Sequence, residues 1–290
     1  MTPDIRCVAD VANALGEGTV WDRRSGRFLW VDIIGKTLFR LAPSTGTVER
    51  WVLPKRVTAV GPRERGDVLL AMEDGIAFFD FETETLEPVV EIETQLAHTR
   101  LNDGKCDRSG RFFVGSMDET GKGIDGTLYR VDPDLTVHAT HARATISNGL
   151  AFSPDNRWLY FADTTAKEIY RYPYDDTTGA IGERALFAKV EGGGCPDGST
   201  VDSEGYLWNA EWDGWRLTRY APDGTIDRHV DLPVQKPTCC AFGGPDLATL
   251  YISTARDGLD AAALEKQPQA GGLFAFEPGV PGLPDGVFKG

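Results

Sequence analysis

Cys195-Pro196-Asp197-Gly198-Ser199 runs at once into Thr200-Val201-Asp202-Ser203-Glu204-Gly205-Tyr206-Leu207-Trp208. Pro196 fixes its own φ and biases Cys195 toward an extended backbone. Gly198 lets the chain bend just after the acid. The stretch reads as a tight turn that presents the Asp197 carboxylate ahead of an aromatic, β-branched strand. Two earlier stretches read the same way: Leu15-Gly16-Glu17-Gly18 sets a carboxylate between glycines, and Ser147-Asn148-Gly149-Leu150 sets a carboxamide before one.

The strand that follows each turn belongs to a phrase that recurs along the chain. A turn with Gly, Asp or Asn leads to a hydrophobic-aromatic strand, a short break, and a second strand ending in a polar turn. Gly26-Arg27-Phe28-Leu29-Trp30-Val31-Asp32 leads to Thr37-Leu38-Phe39-Arg40-Leu41, and Gly205-Tyr206-Leu207-Trp208 leads to Trp215-Arg216-Leu217-Thr218-Arg219-Tyr220. The same phrase fills residues 66–80, 110–131, 156–172 and 248–276, which makes six units. Their spacing of roughly 40 to 50 residues is the period of β-propeller blades. Helical periodicity is nearly absent, and residues 259–267 are the one stretch expected as a short surface turn or helix. The sequence therefore predicts an all-β, six-bladed β-propeller occupying the whole chain, 1–290, as a single domain. The N-terminal segment up to about residue 21 is expected to complete the last blade and close the ring, because closure protects exposed strand edges.

Composition narrows the function. A formal charge of −14 over 290 residues argues against nucleic acid or an anionic membrane as partner. The N-terminus lacks the apolar core of a secretory signal, and no apolar run approaches the about 20 residues that span a bilayer. The five cysteines, Cys7, Cys106, Cys195, Cys239 and Cys240, include no CxxC pair, which fits reduced thiols in a cytoplasm; adjacent Cys239 and Cys240 read as packing residues rather than a disulfide.

In a propeller the innermost strand begins each blade, so residues just ahead of these strands line the mouth of the central channel. Glu17, Asn102, Asn148 and Asp197 all fall there. Glu17, Asn148 and Asp197 are expected to meet at one divalent metal, since carboxylates and carboxamides are hard oxygen donors suited to Ca²⁺, Mg²⁺, Mn²⁺ or Zn²⁺. A single Asn-Gly or Asp-Gly is more often only a turn; the shared position in separate repeats points to a site. Arg100-Leu101-Asn102-Asp103-Gly104-Lys105 gathers a cation, a carboxamide and an acid in what reads as one loop, and Arg100 is placed to hold a carbonyl or hydroxyl. Met117-Asp118-Glu119 reads equally as part of the same mouth and as a solvated acidic turn. Gly121-Lys122-Gly123-Ile124-Asp125-Gly126 matches GxGxxG but joins two strands, which excludes the dinucleotide reading. There is no GxSxG and no HExxH, and of the scattered histidines only His98 stands near these residues.

These motifs, in this order, resemble the family of gluconolactonases and regucalcin (senescence marker protein 30), six-bladed propellers that hydrolyse sugar lactones. Thr238-Cys239-Cys240-Ala241-Phe242-Gly243-Gly244, Ala255-Arg256-Asp257-Gly258-Leu259 and Gln267-Pro268-Gln269-Ala270-Gly271-Gly272 extend the resemblance over nearly the whole chain. It implies Glu17, Asn148 and Asp197 as ligands of one divalent ion (Ca, Zn, Mn, Mg or Fe), with Asp197 also the catalytic general base. It implies Arg100, Asn102 and Glu119 as substrate-binding residues, with Asp118 beside the last. Thr19 stands where many relatives carry proline. The implied partner is a small-molecule sugar lactone such as glucono-, xylono- or arabinolactone, handled by a monomer or weak homo-oligomer. Alternatives are a non-catalytic calcium-binding propeller and an organophosphate or aryl-ester hydrolase.

Overall fold

Each repeat folds as an antiparallel sheet in which neighbours in sequence pair, and a computed structural model describes six such blades over residues 4–290. The inner strands are Gly16–Asp22, Val57–Pro62, Thr99–Cys106, Ser147–Phe152, Cys195–Val201 and Pro237–Gly243, for blades 1 to 6 in order. They are almost wholly buried, whereas outer strands such as Thr47–Val52, Thr85–Glu91 and Ile226–Asp231 alternate charged residues toward solvent. The gradient follows from geometry: inner strands meet at the axis, and outer strands face water on one side. Blade 4 carries an additional two-residue strand, Ala180–Ile181. The short helix expected near residue 260 forms over Ala261–Lys266, and Asp260 caps it by accepting from Ala263 N at 2.8 Å.

Ring closure differs from the expectation. Only Arg6–Ala9 joins the last blade, pairing with Leu273–Phe276 as its outer strand. Gly16–Asp22 is instead the inner strand of blade 1, and residues 1–3, which begin the segment expected to close the ring, lie outside the described residues. The hydrophobic core is a ring of blade-to-blade contacts rather than one central cluster. Phe28 of blade 1 stacks on Tyr251 of blade 6 with centroids 4.3 Å apart, and Phe113 of blade 3 meets Phe152 of blade 4 at 5.5 Å.

The glycine motifs are not the turns they read as. Every inner strand breaks register near its start, at 17–20, 57–59, 101–104, 148–151, 196–199 and 237–239. These breaks are β-bulges inside strands, including the 100–105 stretch expected as a loop. The reason is crowding at the axis. A Cβ on Gly18 would lie 2.9 Å from Ala59 Cα of the next blade, and one on Gly198 would lie 2.5 Å from Cys239 Sγ. Gly18 and Gly149 also hold φ of 60° and 68°, the left-handed region that suits glycine.

The last residues, to which the sequence reading assigned no role, cross the other face. Ser203 N donates to Pro281 O, Gly282 N to Leu247 O, Phe288 N to Pro62 O and Lys289 N to Gly110 O, at 2.8 to 3.1 Å. All of these partners lie at or just after the far ends of inner strands, so this strap lies opposite the bulges. Phe288 is fully buried among Ala59, Leu101 and Phe112, and Asp285 reaches Lys105 Nζ at 3.5 Å. The channel is thereby bridged at the end away from the bulges. Phe288→Ala should cost about 3 to 5 kcal/mol in urea unfolding, as for other fully buried aromatics; a loss below about 1 kcal/mol would show the strap to be separable from the core.

Candidate active site

Bulges re-aim side chains, and here they turn polar groups toward the axis. Glu17, Asn102, Asn148 and Asp197, from blades 1, 3, 4 and 5, are all buried. Blades 2 and 6 place Thr58 and Thr238 at their bulges instead, and both hydroxyls donate to backbone carbonyls, Ala71 O and Gly16 O. The polar positions are thus not equivalent around the ring: four face the site chemistry and two close the scaffold.

Glu17 and Asp197 come together. Each carboxyl lies close enough to perturb the other, and two buried acids so placed call for a proton or a cation between them. Asp197 Oδ1 is buried with no hydrogen-bond partner among the described residues. Burial pushes the Glu17 carboxyl up to about 8, with the charge of Asp103 adding to it. Burial also raises Asp197 well above its usual range, helped by Glu17 and Asp103. Asp103 is itself buried and raised by burial, although Leu150 N donates to its Oδ2 at 2.9 Å. It stood in the motif read from sequence without a role; its part here is a third negative charge behind the pair.

Asn148 is oriented from both ends. Its Oδ1 accepts from Asn102 Nδ2 at 3.0 Å, and its Nδ2 donates to Thr164 Oγ1 at 2.8 Å. The Thr164 hydroxyl passes the contact on to Pro196 O at 2.8 Å, next to Asp197. Asn102 also donates to Ser147 O at 2.9 Å and accepts from Arg100 Nη1 at 2.7 Å, so both its donors and its carbonyl are engaged. Arg100 is 8% exposed, and burial pulls its guanidinium down to about 10. Its Nε lies 3.4 Å from Glu119 Oε1.

The geometry separates Asp118 from Glu119. Asp118 caps its own hairpin, accepting from Thr120 N at 2.8 Å and Gly123 N at 2.6 Å, while Glu119 faces Arg100. Glu119 is gripped from blade 2 by Arg56, at 2.6 and 3.1 Å, and this hydrogen bond holds its carboxyl below the usual range. Arg56 escaped the sequence reading; its place just ahead of an inner strand, where the other candidates were sought, was the available signal. His98 pairs with Asp125 at 2.9 Å on an exposed loop. Residues 121–125 join two strands of blade 3 and open no helix. The five cysteines are free, and the Thr19 hydroxyl donates to Cys239 Sγ at 3.1 Å.

The residues fit a hard divalent cation in their chemistry. Two facing buried acids, one with an orphaned oxygen, need either a proton or a cation, and Asn148 Oδ1 retains a second lone pair. Among the described residues no three His, Cys, Asp or Glu side chains form a ligand cluster, so the donor set in question is two carboxylates and one carboxamide.

A family model described as the SMP-30/Gluconolactonase/LRE-like region matches residues 15–256. The chain is 38% identical to 6-deoxy-6-sulfogluconolactonase of Pseudomonas putida, over 100% of both chains, and 37% identical to L-arabinolactonase of Azospirillum brasilense, over 98% of this chain and 95% of that one. Among solved structures it resembles regucalcin of Agrobacterium tumefaciens, described as a calcium-binding protein, with a TM-score of 0.95, 32% identity, and coverage of 100% of this chain and 98% of that one.

The buried acid pair sets a pH dependence. The folded, metal-free protein holds a proton that the unfolded chain releases above the ordinary carboxylate value of 4.5. Stability should therefore fall as pH rises from about 4.5 to about 8, by on the order of 5 kcal/mol. Glu17→Gln should flatten that slope, read by urea denaturation of chelator-treated protein; a slope unchanged in the variant would contradict the assignment.

Proposed function

The chain belongs to the SMP-30/gluconolactonase/LRE-like family, and from that premise we propose that it hydrolyses sugar lactones, such as glucono-, xylono- or arabinolactone, to aldonic acids, with Glu17, Asn148 and Asp197 holding one divalent cation. The observation that carries the reading is the buried Glu17–Asp197 pair with its orphaned Asp197 oxygen, beside an amide fixed by Asn102 and Thr164. The lactonase relatives and the calcium-binding regucalcin support it.

A cation bound there would polarise a lactone carbonyl and lower the pKa of a water molecule. The rest is work for the chain's own groups. Asp197 Oδ1, free of hydrogen bonds, takes the proton from the attacking water. Arg100 donates toward the oxygen on which negative charge develops, in a dry setting where such a bond is strong. Asn102 holds Arg100 and Asn148 in register, and Glu119 accepts from a sugar hydroxyl. A lactone is an activated ester, so no covalent nucleophile is needed, in keeping with the lack of a serine elbow. The all-oxygen donor set suits Ca²⁺, Mg²⁺ or Mn²⁺ better than softer ions, Zn²⁺ and Fe²⁺ remaining in the test. The free cysteines fit a cytoplasmic location, and no helix among the described residues is long and apolar enough to cross a membrane.

The test is acid release from a panel of aldonolactones by metal-stripped protein with single ions added back, spontaneous opening subtracted. Activity should vanish with chelation and return with one ion, and Asp197→Ala should lower turnover about 100- to 10,000-fold. An Asp197→Ala variant at the full rate would remove the proposed base. No rate with any ion would leave a metal-binding propeller without this chemistry.

A further inference from the structure

Asp197 is held by more than its own strand. The inner strand of blade 5 breaks register between Pro196, which pairs with Glu211, and Ser199, which pairs with Asn209. Asp197 and Gly198 together stand opposite the single residue Ala210, so the Asp197 carbonyl falls outside the regular ladder. Asn209, on the neighbouring strand Leu207–Trp212, supplies the missing donor. Its Nδ2 donates to Asp197 O at 2.7 Å and to Ser199 Oγ at 3.0 Å, which engages both hydrogens of the amide. The side chain is fully buried, and its Oδ1 has no hydrogen-bond partner among the described residues. An apolar side chain would fill this space without an unpaired oxygen, so packing alone does not account for an asparagine here. The same atoms meet blade 4. A Cβ on Gly149 would lie 3.3 Å from both Asp197 O and Ser199 Oγ, so the residue after Asn148 rests on the two oxygens that Asn209 engages. Thr164 of blade 4 donates to Pro196 O at 2.8 Å, and two consecutive carbonyls are thus each held by a side chain, one from each blade.

We propose that Asn209 is a positioning residue: by pinning the bulged backbone of Asp197 it sets where the Asp197 carboxyl points and how the bulges bearing Asp197 and Asn148 lie against each other. The inference rests on the reading of Glu17, Asn148 and Asp197 as ligands of one cation, with Asp197 as the base. Without a ladder bond the peptide after residue 197 can tilt, and the side chain moves with the residue that carries it. Misplacing a reacting group by about 1 Å costs on the order of 100-fold in rate. Asn209 touches neither the carboxyl nor the axis, and it acts only through the carbonyl of Asp197 and the Ser199 hydroxyl. Removing it should therefore weaken ligation and proton transfer while leaving the groups that bind substrate, Arg100, Asn102 and Glu119, in place.

The test is made on the full chain with Asn209→Val, and with Asn209→Ala as the second variant should the first fail to fold. Calorimetry on metal-stripped protein reads the affinity for Ca²⁺, Mg²⁺ and Mn²⁺ in turn, and lactone kinetics and urea unfolding accompany it. The variant should bind the ion that wild type takes about 10- to 100-fold more weakly, with kcat lowered by a similar factor and KM within about threefold. Phe288→Ala is the reference for a purely structural loss: it should unfold at lower urea yet keep its cation affinity within about twofold. Affinity and kcat both within about twofold of wild type in the Asn209 variant overturn the inference. So does an equal loss of affinity in Phe288→Ala, and so does failure of both Asn209 variants to fold, since the role is then structural. Wild type that binds a cation and opens no lactone sinks the lactonase reading, and the affinities alone decide this one. Wild type that opens lactones and binds no cation sinks the ligand reading, and the split between kcat and KM decides. Wild type that does neither sinks both.

Discussion

Glu17 and Asp197 sit on blades 1 and 5, and the ring brings their carboxyls together in a place water barely reaches. Two acids so placed cannot both be ionised unaided, since desolvation and mutual repulsion act in the same direction. Asp103 behind them makes the position worse. A fold keeps such an arrangement only where surrounding structure overrides the local cost, and the override here is geometric. Six bulged strands packed at van der Waals distance around one axis leave each polar side chain a single direction to point. Such a pair favours a proton or a cation between its oxygens, and the ring is what keeps the pair from relaxing apart.

That override depends on closure. A sheet that does not close has an edge at which strands fray, and fraying near Gly16–Asp22 would release Glu17. Two features prevent it. Arg6–Ala9 pairs with the last blade across the seam, and the strap ending at Lys289 and Gly290 binds blades 2, 3, 5 and 6 from below. Thr238 of blade 6 donating to Gly16 O ties the seam at the level of the site itself. Local rigidity at Glu17 is thus assembled from contacts more than two hundred residues away in sequence.

Much of this was legible in the chain. The recurring aromatic phrase revealed a six-bladed propeller because second and third strands are buried on both faces and carry continuous apolar runs. The innermost strands were hidden for a physical reason. Segments such as Gly-Glu-Gly-Thr and Cys-Pro-Asp-Gly-Ser carry glycine for close packing at the axis and polar residues for the site, the composition by which turns are known. Misreading them as turns misplaced the closing strand, yet it kept Glu17, Asn102, Asn148 and Asp197 near the axis, since a bulge and a turn both present a side chain there. Glu119 could not be told from Asp118 by spacing, because the distinction lies in which carboxylate its own hairpin engages. Arg56 lies 63 positions from Glu119, and nothing in either local sequence announces that pairing.

The polar groups around the mouth are better understood as one belt than as separate ligands. From Glu73 the contacts run through Arg56, Glu119, Arg100, Asn102, Asn148 and Thr164 to Pro196 O, crossing blades 2 to 5. Each member is oriented by the next: four charged groups of alternating sign lead into two amides, so that no cation in the belt stands free. Such a chain transmits a displacement, because a side chain with every donor engaged cannot move without breaking a partner's bond. It follows that orientation of Asn148, deep at the axis, is coupled to residues that never touch it. The belt also explains the division of labour among the blades. The bulges of blades 2 and 6 carry threonines that bond the backbone, and blade 2 instead anchors the belt's outer end through Arg56 and Glu73.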